Sequence, residues 1–234
     1  MNFEDINYYR EIENILRCIL QPIPRISFST FVRVVSGHKV IPIDEKQDKE
    51  LIETLKKVGY QVKEEVEKTN GIKAPNNDKL PSRRNEAGNY LENYVKKVLN
   101  KFGKAETPFT QSGKKKNVGY PDLVFHYKGK VIYVEIKTYD PEKIESSLRA
   151  FYASPPSEKG GFKVTTDGYH VLLAFGLKEK EKNQYFIEEY IIVDLSKLEG
   201  RIKHEFNASN KELYNKKTII HKEIFNEKEK KEDV

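Results

Sequence analysis

Apolar and polar residues follow one another along this chain in two patterns, one typical of helices and one typical of strands. Helix-type patterns mark residues 5–20, 44–60, 85–102 and 142–154. β-Branched and aromatic runs predict strands or extended segments at residues 26–35, 122–127, 130–139, 169–177 and 185–195. In the second predicted helix, Asp44 is the expected N-cap and Gly59 the residue that ends it. The pattern therefore predicts interleaved helices and strands.

A polar stretch divides the chain into two parts. Residues 67–85 are rich in Asn, Pro, Gly and charged residues, a composition typical of a linker or loop. We therefore predict a small lobe at residues 1–80 and a second domain at residues 81–225. Residues 226–234 form a charged tail with nothing to bury, which predicts a frayed end.

The predicted strand at residues 130–139 carries two charged residues, Glu135 and Lys137, within an apolar run. If residues 128–129 form a two-residue hairpin turn, Asp122 on the preceding strand lies opposite Glu135. Directly paired residues point to the same face of a sheet, as do residues two apart on one strand. This register therefore gathers two carboxylates and one ammonium group at one end of the hairpin.

Two facing carboxylates repel each other unless a cation lies between them. Mg²⁺ prefers oxygen ligands, often takes one or two carboxylates, and completes its shell with water and substrate phosphate. A lysine beside such a metal can act on its bound water or stabilise charge on the phosphate in the transition state. The alternative is a surface salt bridge between Glu135 and Lys137, with Asp122 as a turn residue. Apolar neighbours on both faces of the strand favour the metal site.

The residues of this hairpin, Pro121-Asp122 and then Glu135-Ile136-Lys137, resemble the motif of the PD-(D/E)XK nuclease superfamily. That superfamily includes type II restriction endonucleases, Holliday-junction resolvases and repair nucleases. The resemblance implies an α/β (mixed α+β) fold, a restriction-endonuclease-like mixed central sheet flanked by helices, with a small helical or extended N-terminal lobe. It also implies Mg²⁺-dependent phosphodiester hydrolysis, with Asp122 and Glu135 as metal ligands and Lys137 beside them.

A glutamate on the preceding helix extends the resemblance, because many members carry one four residues after a glycine. Gly88 and Glu92 have this spacing, and Glu92 borders the buried side of its predicted helix. Glu92 could equally be a solvated helix-edge residue. Glu86 is the rival candidate, although a carboxylate in the first turn already stabilises the helix N-terminus. The expected catalytic residues are Asp122, Glu135, Lys137 and Glu92, and the expected metal-binding residues are Asp122, Glu135, Ile136 and Glu92.

Two loops carry basic and aromatic residues that are candidates for DNA contacts. The first, just before Asp122, contains Lys114, Lys115 and Lys116, which could contact phosphates near the cleavage site. The second has a Gly-Gly pair and could enter a groove or cover bound DNA; its candidates are Arg149, Tyr152, Lys159 and Lys163. The alternatives are a solvated lysine run for the first loop and a plain connection for the second.

Composition narrows the class of protein. The 234 residues carry a net charge of +6, which suits a polyanionic partner but also fits an ordinary solvated surface. Cys18 is the single cysteine, which excludes an intramolecular disulfide and a cysteine-based zinc site. The acidic, polar N-terminus does not resemble a signal peptide, and no apolar run approaches about 18 residues. We therefore expect a cytoplasmic protein without membrane association.

These observations together favour a type II restriction endonuclease, which cuts double-stranded DNA at a specific sequence with Mg²⁺. The chain lacks a P-loop motif, and residues outside the nuclease core could read sequence or dimerise. We expect a symmetric homodimer, and a cognate methyltransferase in the same cell but not in a stable complex. The alternatives are a structure-specific nuclease, such as a Holliday-junction resolvase or repair nuclease, and a non-catalytic nucleic-acid-binding module.

Overall fold

A computed structural model describes residues 10–17, 25–76, 78–116, 119–145, 151–155 and 161–202. The chain forms two units: residues 25–200 make one, and residues 1–24 with 201–234 make the other. In the second of these units, residues 10–17 are helical (α1). The division into a lobe at residues 1–80 and a core at 81–225 stays a prediction, and the tail at 226–234 lies outside the described residues.

The unit at residues 25–200 contains three helices and eight strands among its described residues. The helices are α2 (Phe28–Ser36), α3 (Lys49–Lys68) and α4 (Arg84–Leu99). The strands are β1 (Ile26–Ser27), β2 (Val40–Ile41), β3 (Lys104–Glu106), β4 (Leu123–Tyr127), β5 (Lys130–Tyr139), β6 (Gly168–Glu181), β7 (Gln184–Asp194) and β8 (Glu199–Gly200). None of the helices in the described ranges is long and apolar enough to cross a membrane.

Six of the strands form one mixed sheet in the order β2-β6-β5-β4-β3, with β7 also pairing with β6. Strands β5 and β6 are parallel, whereas β3-β4, β4-β5 and β6-β7 are antiparallel. Strand β5 therefore lies inside the sheet, between β4 and β6. Helices pack on the sheet, so the predicted mixed α/β fold with a flanked central sheet is confirmed.

Separate apolar clusters cover the two faces of this sheet. The larger joins α3 and α4 to the sheet through residues such as Leu55, Leu91 and Phe125. The smaller contains Phe28 of α2 and Tyr133 of β5, together with apolar residues of the segment at 161–164. Because side chains alternate along a strand, every second residue of β5 starting from Tyr133 lies on the face of the smaller cluster.

The predicted extended segment at residues 26–35 is instead mostly helical, as α2, so that prediction is wrong. The side chain of Ser27 caps the helix by accepting a hydrogen bond from the backbone N–H of Thr30, at 3.1 Å. Phe28 and Val32, four residues apart, are both buried. A capped start and one buried face outweigh the strand preference of the β-branched residues.

Helix α3 starts later and ends later than predicted. Its N-cap is Asp48, whereas Asp44 accepts hydrogen bonds from two backbone N–H groups of the preceding turn. Gly59 lies inside the helix, where an added Cβ would lie 2.4 Å from the ring of Tyr190. Close packing of β7 on the helix therefore explains this glycine, and a helix end does not.

The helix predicted at residues 142–154 lies partly outside the described residues. Within the described part, Pro141–Lys143 form a single 3₁₀ turn, and residues 151–155 have no regular structure. Helix α4 and strands β4, β6 and β7 are present with shifted ends, and β5 has the predicted ends. The ends of the helix predicted at residues 5–20 lie outside the described residues, of which 10–17 are helical.

Candidate active site

The hairpin of β4 and β5 has the predicted register. Lys128 and Gly129 both have positive φ angles, 48° and 76°, as a two-residue type I′ turn requires. The ladder runs from Tyr127 paired with Lys130 to its last pair, Leu123 with Val134. Asp122 therefore lies beside Glu135 immediately beyond the last pair.

At this strand end, the side chain of Asp122 makes the hydrogen bond that a further residue pair of the β4–β5 ladder would make. Its Oδ2 accepts a hydrogen bond from the backbone N–H of Ile136 at 2.8 Å. The N–H and C=O of one strand residue point to the same side, so the carbonyl of Ile136 also points towards the side of Asp122. A carboxylate and a main-chain carbonyl thus meet where β4 ends.

Glu135 is a buried carboxylate with one satisfied oxygen and one unsatisfied oxygen. Its Oε1 accepts a hydrogen bond from the Lys137 ammonium at 2.5 Å. Its Oε2 is buried and has no hydrogen-bond partner among the described residues. Leaving a buried acceptor unpaired costs about 1–3 kcal/mol, and more for a charged group, so this oxygen is suited to receive a cation.

Burial and mutual repulsion shift the pKa values of these groups. Burial raises the pKa of Asp122. Burial also raises the pKa of Glu135, and the neighbouring charge of Asp122 raises it further. For Lys137, burial works against the charged form, but the two carboxylates outweigh burial and raise its pKa, so it stays an ammonium. The pair of carboxylates therefore holds more negative charge than this one ammonium offsets.

Glu92 lies half-buried on α4, within electrostatic reach of the same carboxylates. Burial, and then the charges of Asp122 and Glu135, raise the pKa of Glu92 to about 7. One turn earlier, a Cβ on Gly88 would lie 3.1 Å from Oγ1 of Thr138 on β5. The glycine therefore permits a close approach of helix and strand, and this approach brings Glu92 towards the end of the hairpin.

Glu86 is occupied at the start of α4. Its Oε2 accepts hydrogen bonds from the backbone N–H and the hydroxyl of Ser82, at 2.6 and 2.7 Å. Its Oε1 accepts one from the hydroxyl of Tyr90 at 2.5 Å. These hydrogen bonds, that of Tyr90 first, lower the pKa of Glu86 to about 2. Both carboxylate oxygens of Glu86 therefore already have hydrogen-bond partners at the start of α4.

The oxygens of Asp122 and Glu135 are the donors that best fit a metal, with the Ile136 carbonyl beside them. Among the described residues, no three Asp, Glu, His or Cys side chains form a complete cage. Two carboxylates with an unsatisfied buried oxygen match the needs of Mg²⁺, which takes few protein ligands and keeps several waters.

The candidate DNA-contacting residues fall into three groups. Lys114, Lys115 and Lys116 are exposed, and Tyr152 is also exposed, with the Lys137 ammonium 5.9 Å from the centre of its ring. Arg149 and Lys159 lie outside the described residues. Lys163 is buried, with 2% of its surface exposed, and its ammonium is electrostatically coupled to Asp122 and Glu135.

A buried aromatic pair supports the corner that carries Asp122, and no sequence pattern pointed to it. The hydroxyl of Tyr120 and Nδ1 of His170 lie 2.6 Å apart, and the two rings are stacked with an interplanar angle of 13°. Tyr120 immediately precedes Pro121, so this contact anchors the chain just before the first carboxylate. The partners come from distant parts of the sequence, which is why spacing gave no signal.

Comparison with known proteins identifies the family of the chain. The chain matches the model of the type II restriction enzyme MjaV family over residues 23–217. It is 54% identical over 226 residues to the type II restriction enzyme MjaV of Methanocaldococcus jannaschii, covering 93% of this chain and 97% of that relative. No solved structure matches the chain.

The flanked mixed sheet is compatible with a type II restriction endonuclease, and these matches identify the chain as one. The chain belongs to the type II restriction enzyme MjaV family. It is accordingly a hydrolase, a site-specific deoxyribonuclease, and the predicted class is confirmed.

Proposed function

We propose that this enzyme hydrolyses double-stranded DNA by Mg²⁺-dependent chemistry at the hairpin end that carries Asp122, Glu135 and Lys137. The observation that carries the proposal is the buried, unpartnered Oε2 of Glu135 next to a second carboxylate. A divalent ion would satisfy that oxygen, offset the charge of the two buried carboxylates, and so remove the repulsion from Asp122 that raises the pKa of Glu135.

Each residue has a separate task in this centre. Asp122, Glu135 and the carbonyl of Ile136 would hold the ion, which when bound acts as a Lewis acid and makes a water molecule more acidic. Lys137 keeps its charge because of the adjacent carboxylates, so it is suited to stabilise the negative charge that develops on the phosphate. The backbone N–H of Ile136 fixes the orientation of Asp122 at 2.8 Å.

The exposed residues near the centre are suited to hold the DNA. Lys114, Lys115 and Lys116 would bind phosphates by charge, with little dependence on sequence. Tyr152 is exposed beside Lys137 and would lie close to the substrate backbone; Arg149 and Lys159 stay candidates for the same role. Cutting both strands of a symmetric site is most simply done by a homodimer, and the host DNA would be protected by a separate methyltransferase.

The direct test is digestion of a sequenced phage genome by the purified enzyme, with Mg²⁺ or with EDTA. We expect discrete fragments with Mg²⁺, with one common sequence at all mapped ends, and intact DNA with EDTA. Cleavage in EDTA would contradict the metal requirement. Fragments without a common end sequence, or cleavage confined to branched DNA, would contradict site-specific restriction.

The second test separates the two helix glutamates. Glu92→Gln is expected to lower the cleavage rate at limiting Mg²⁺ by about tenfold, because a carboxylate near the metal site contributes to binding the ion directly or through water. Its melting temperature should change little. Higher Mg²⁺ or Mn²⁺ concentrations should restore part of the rate.

Glu86→Gln is the matched control, since it makes the same change one turn and a half earlier on the same helix. Its carboxylate is held by Ser82 and Tyr90, so we expect normal cleavage and a small loss of thermal stability. Rates are compared under single-turnover conditions across a Mg²⁺ series. Equal effects of the two substitutions, or a larger effect of Glu86→Gln, would remove Glu92 from the proposed centre.

A further inference from the structure

Lys163 is a buried ammonium group that the chemistry proposed above does not use. It lies in the segment that covers the same sheet face as Tyr133, the face to which Glu135 and Lys137 also belong. Only 2% of its surface is exposed, so it is placed inside the protein.

The segment that carries Lys163 is fixed to the loop of exposed lysines. The backbone N–H of Gln111 donates to the carbonyl of Phe162 at 3.0 Å, and the side-chain amide of Gln111 donates to the carbonyl of Ser36 at 2.7 Å. The ammonium of Lys163 itself donates to the carbonyl of Lys116 at 3.4 Å. The position of this charge is therefore set by the surrounding backbone.

That single long hydrogen bond to a neutral acceptor does not offset the burial of a charge. Burial of an ammonium costs several kcal/mol unless opposite charge compensates it. The opposite charges that act on Lys163 are those of Asp122, Glu135 and Glu92. No carboxylate forms an ion pair with Lys163 within the described ranges, so the ammonium acts on the three carboxylates through its charge and not through a direct ion pair.

We propose that Lys163 is a positioning residue that sets the affinity of the Asp122–Glu135 centre for divalent metal, by acting as its built-in counter-charge before the metal arrives. This inference rests on the proposed metal site. It differs from the phosphate contact predicted for Lys163 from the sequence, because a buried ammonium whose charge acts on these carboxylates affects the metal ligands and not the DNA.

The sign of the effect follows from the charges. A doubly charged ion feels the ammonium twice as strongly as a proton does, so the ammonium weakens metal binding even though it also keeps the carboxylates ionised. Removing the ammonium should therefore tighten metal binding. It should also leave the carboxylates with only the compensation that Lys137 provides in the metal-free protein, and so lower its melting temperature in EDTA.

The test is a titration of the full-length protein, without DNA, with Mn²⁺ as the probe and electron paramagnetic resonance to measure the free ion. Lys163→Met keeps most of the side-chain volume and removes the charge; we expect it to bind Mn²⁺ about three- to tenfold more tightly than wild type. Lys163→Arg keeps the charge and should bind Mn²⁺ within about twofold of wild type. Should Lys163→Met fail to fold, Lys163→Gln takes its place, with melting in EDTA as the check.

Lys130→Met is the matched control. The charge of Lys130 also acts on a carboxylate, here through an ion pair with Asp48, but Lys130 lies at the turn end of β5, far from Glu135. This variant should lose thermal stability and keep wild-type Mn²⁺ affinity. Tighter Mn²⁺ binding by both Lys163→Met and Lys130→Met would show that the effect comes from the net charge of the protein and not from the position of Lys163. That result would overturn the inference.

Asp122→Asn separates the failure of this inference from the failure of the proposed site. If wild type binds Mn²⁺ no better than Asp122→Asn, the metal site itself is wrong, and the inference fails with it. If wild type does bind better, and Lys163→Met has equal or weaker affinity than wild type, the role of Lys163 alone is refuted. Unchanged Mn²⁺ affinity with weaker binding of a DNA duplex would restore Lys163 as a phosphate contact.

Discussion

Asp122→Asn is expected to abolish cleavage and, at the same time, to raise the melting temperature of the metal-free protein. Loss of cleavage follows because the amide provides no negative charge for the metal. The gain in stability follows because the substitution removes one of two buried carboxylates that repel each other. The asparagine Oδ1 can still accept the hydrogen bond from the N–H of Ile136 that Asp122 accepts now, so the local geometry is kept.

The pH dependence of this effect has a definite sign. The folded protein raises the pKa of Asp122 above its ordinary value, so ionisation of this group costs stability once the pH rises above the pKa of the unfolded chain. The variant should therefore exceed wild type by about 2–4 °C at neutral pH, for a relief of about 1 kcal/mol. The difference should disappear as the pH falls to the ordinary carboxyl range near 4.

Asp48→Asn provides a control of opposite sign. Burial works against ionisation of Asp48, but Lys130, the N–H of Asp44 and the hydroxyl of Tyr169 outweigh it, and the net result is a lowered pKa. Removing this charge should lower the melting temperature and leave cleavage intact. The comparison uses calorimetry in EDTA from pH 4 to 8 with single-turnover cleavage. A stability loss in Asp122→Asn comparable to that of Asp48→Asn would show that the ionised carboxylate of Asp122 does not destabilise the folded protein.

Lys137→Ala is expected to slow the chemical step by about 10²–10³-fold, which corresponds to about 2.7–4 kcal/mol, while DNA affinity changes little. The ammonium of Lys137 lies 2.5 Å from Glu135 Oε1 and is only partly exposed, so its charge acts in a poorly solvated place. A fixed charge of this kind stabilises the transition state more than the bound substrate.

The measurement separates binding from chemistry. DNA affinity is measured with Ca²⁺ in place of Mg²⁺, and the rate is measured under single-turnover conditions at saturating enzyme. Lys130→Ala, at the other end of β5, removes the same charge and should leave the rate unchanged. A collapse of affinity with a preserved rate at saturation would make Lys137 a DNA-binding residue instead.

The sequence by itself determined the hairpin and the placement of Asp122, Glu135 and Lys137 on it. A two-residue turn at Lys128-Gly129 allows only one pairing register for the two strands. Because side chains alternate between the faces of a strand, this register fixes which side chains share a face. The positions of Asp122 beside Glu135 and of Lys137 next to Glu135 follow from this local geometry. No contact with a distant part of the chain was needed.

The tertiary structure decided what depends on contacts between distant segments. The segment at residues 26–35 has a strand-like composition, yet packing of Phe28 against Tyr120 and the cap at Ser27 make it mostly helical. Gly59 has the identity of a helix stop, yet the ring of Tyr190 on β7 requires it inside the helix. In both cases burial against a remote element outweighs a local preference worth about 1 kcal/mol or less.

The same distinction holds at the active site. From spacing alone, Glu86 and Glu92 were both candidates for the helix carboxylate. In the structure, Glu86 is held by local hydrogen bonds. The close approach of α4 to β5 at Gly88 instead favours Glu92 as the candidate. Lys163 was indistinguishable in sequence from Lys159 and from the lysines of the loop before Asp122. Only folding buries Lys163 and brings its charge under the influence of the carboxylates. Burial and charge interactions depend on which segments pack together, and a sequence pattern with a period of two or 3.6 residues does not contain that information.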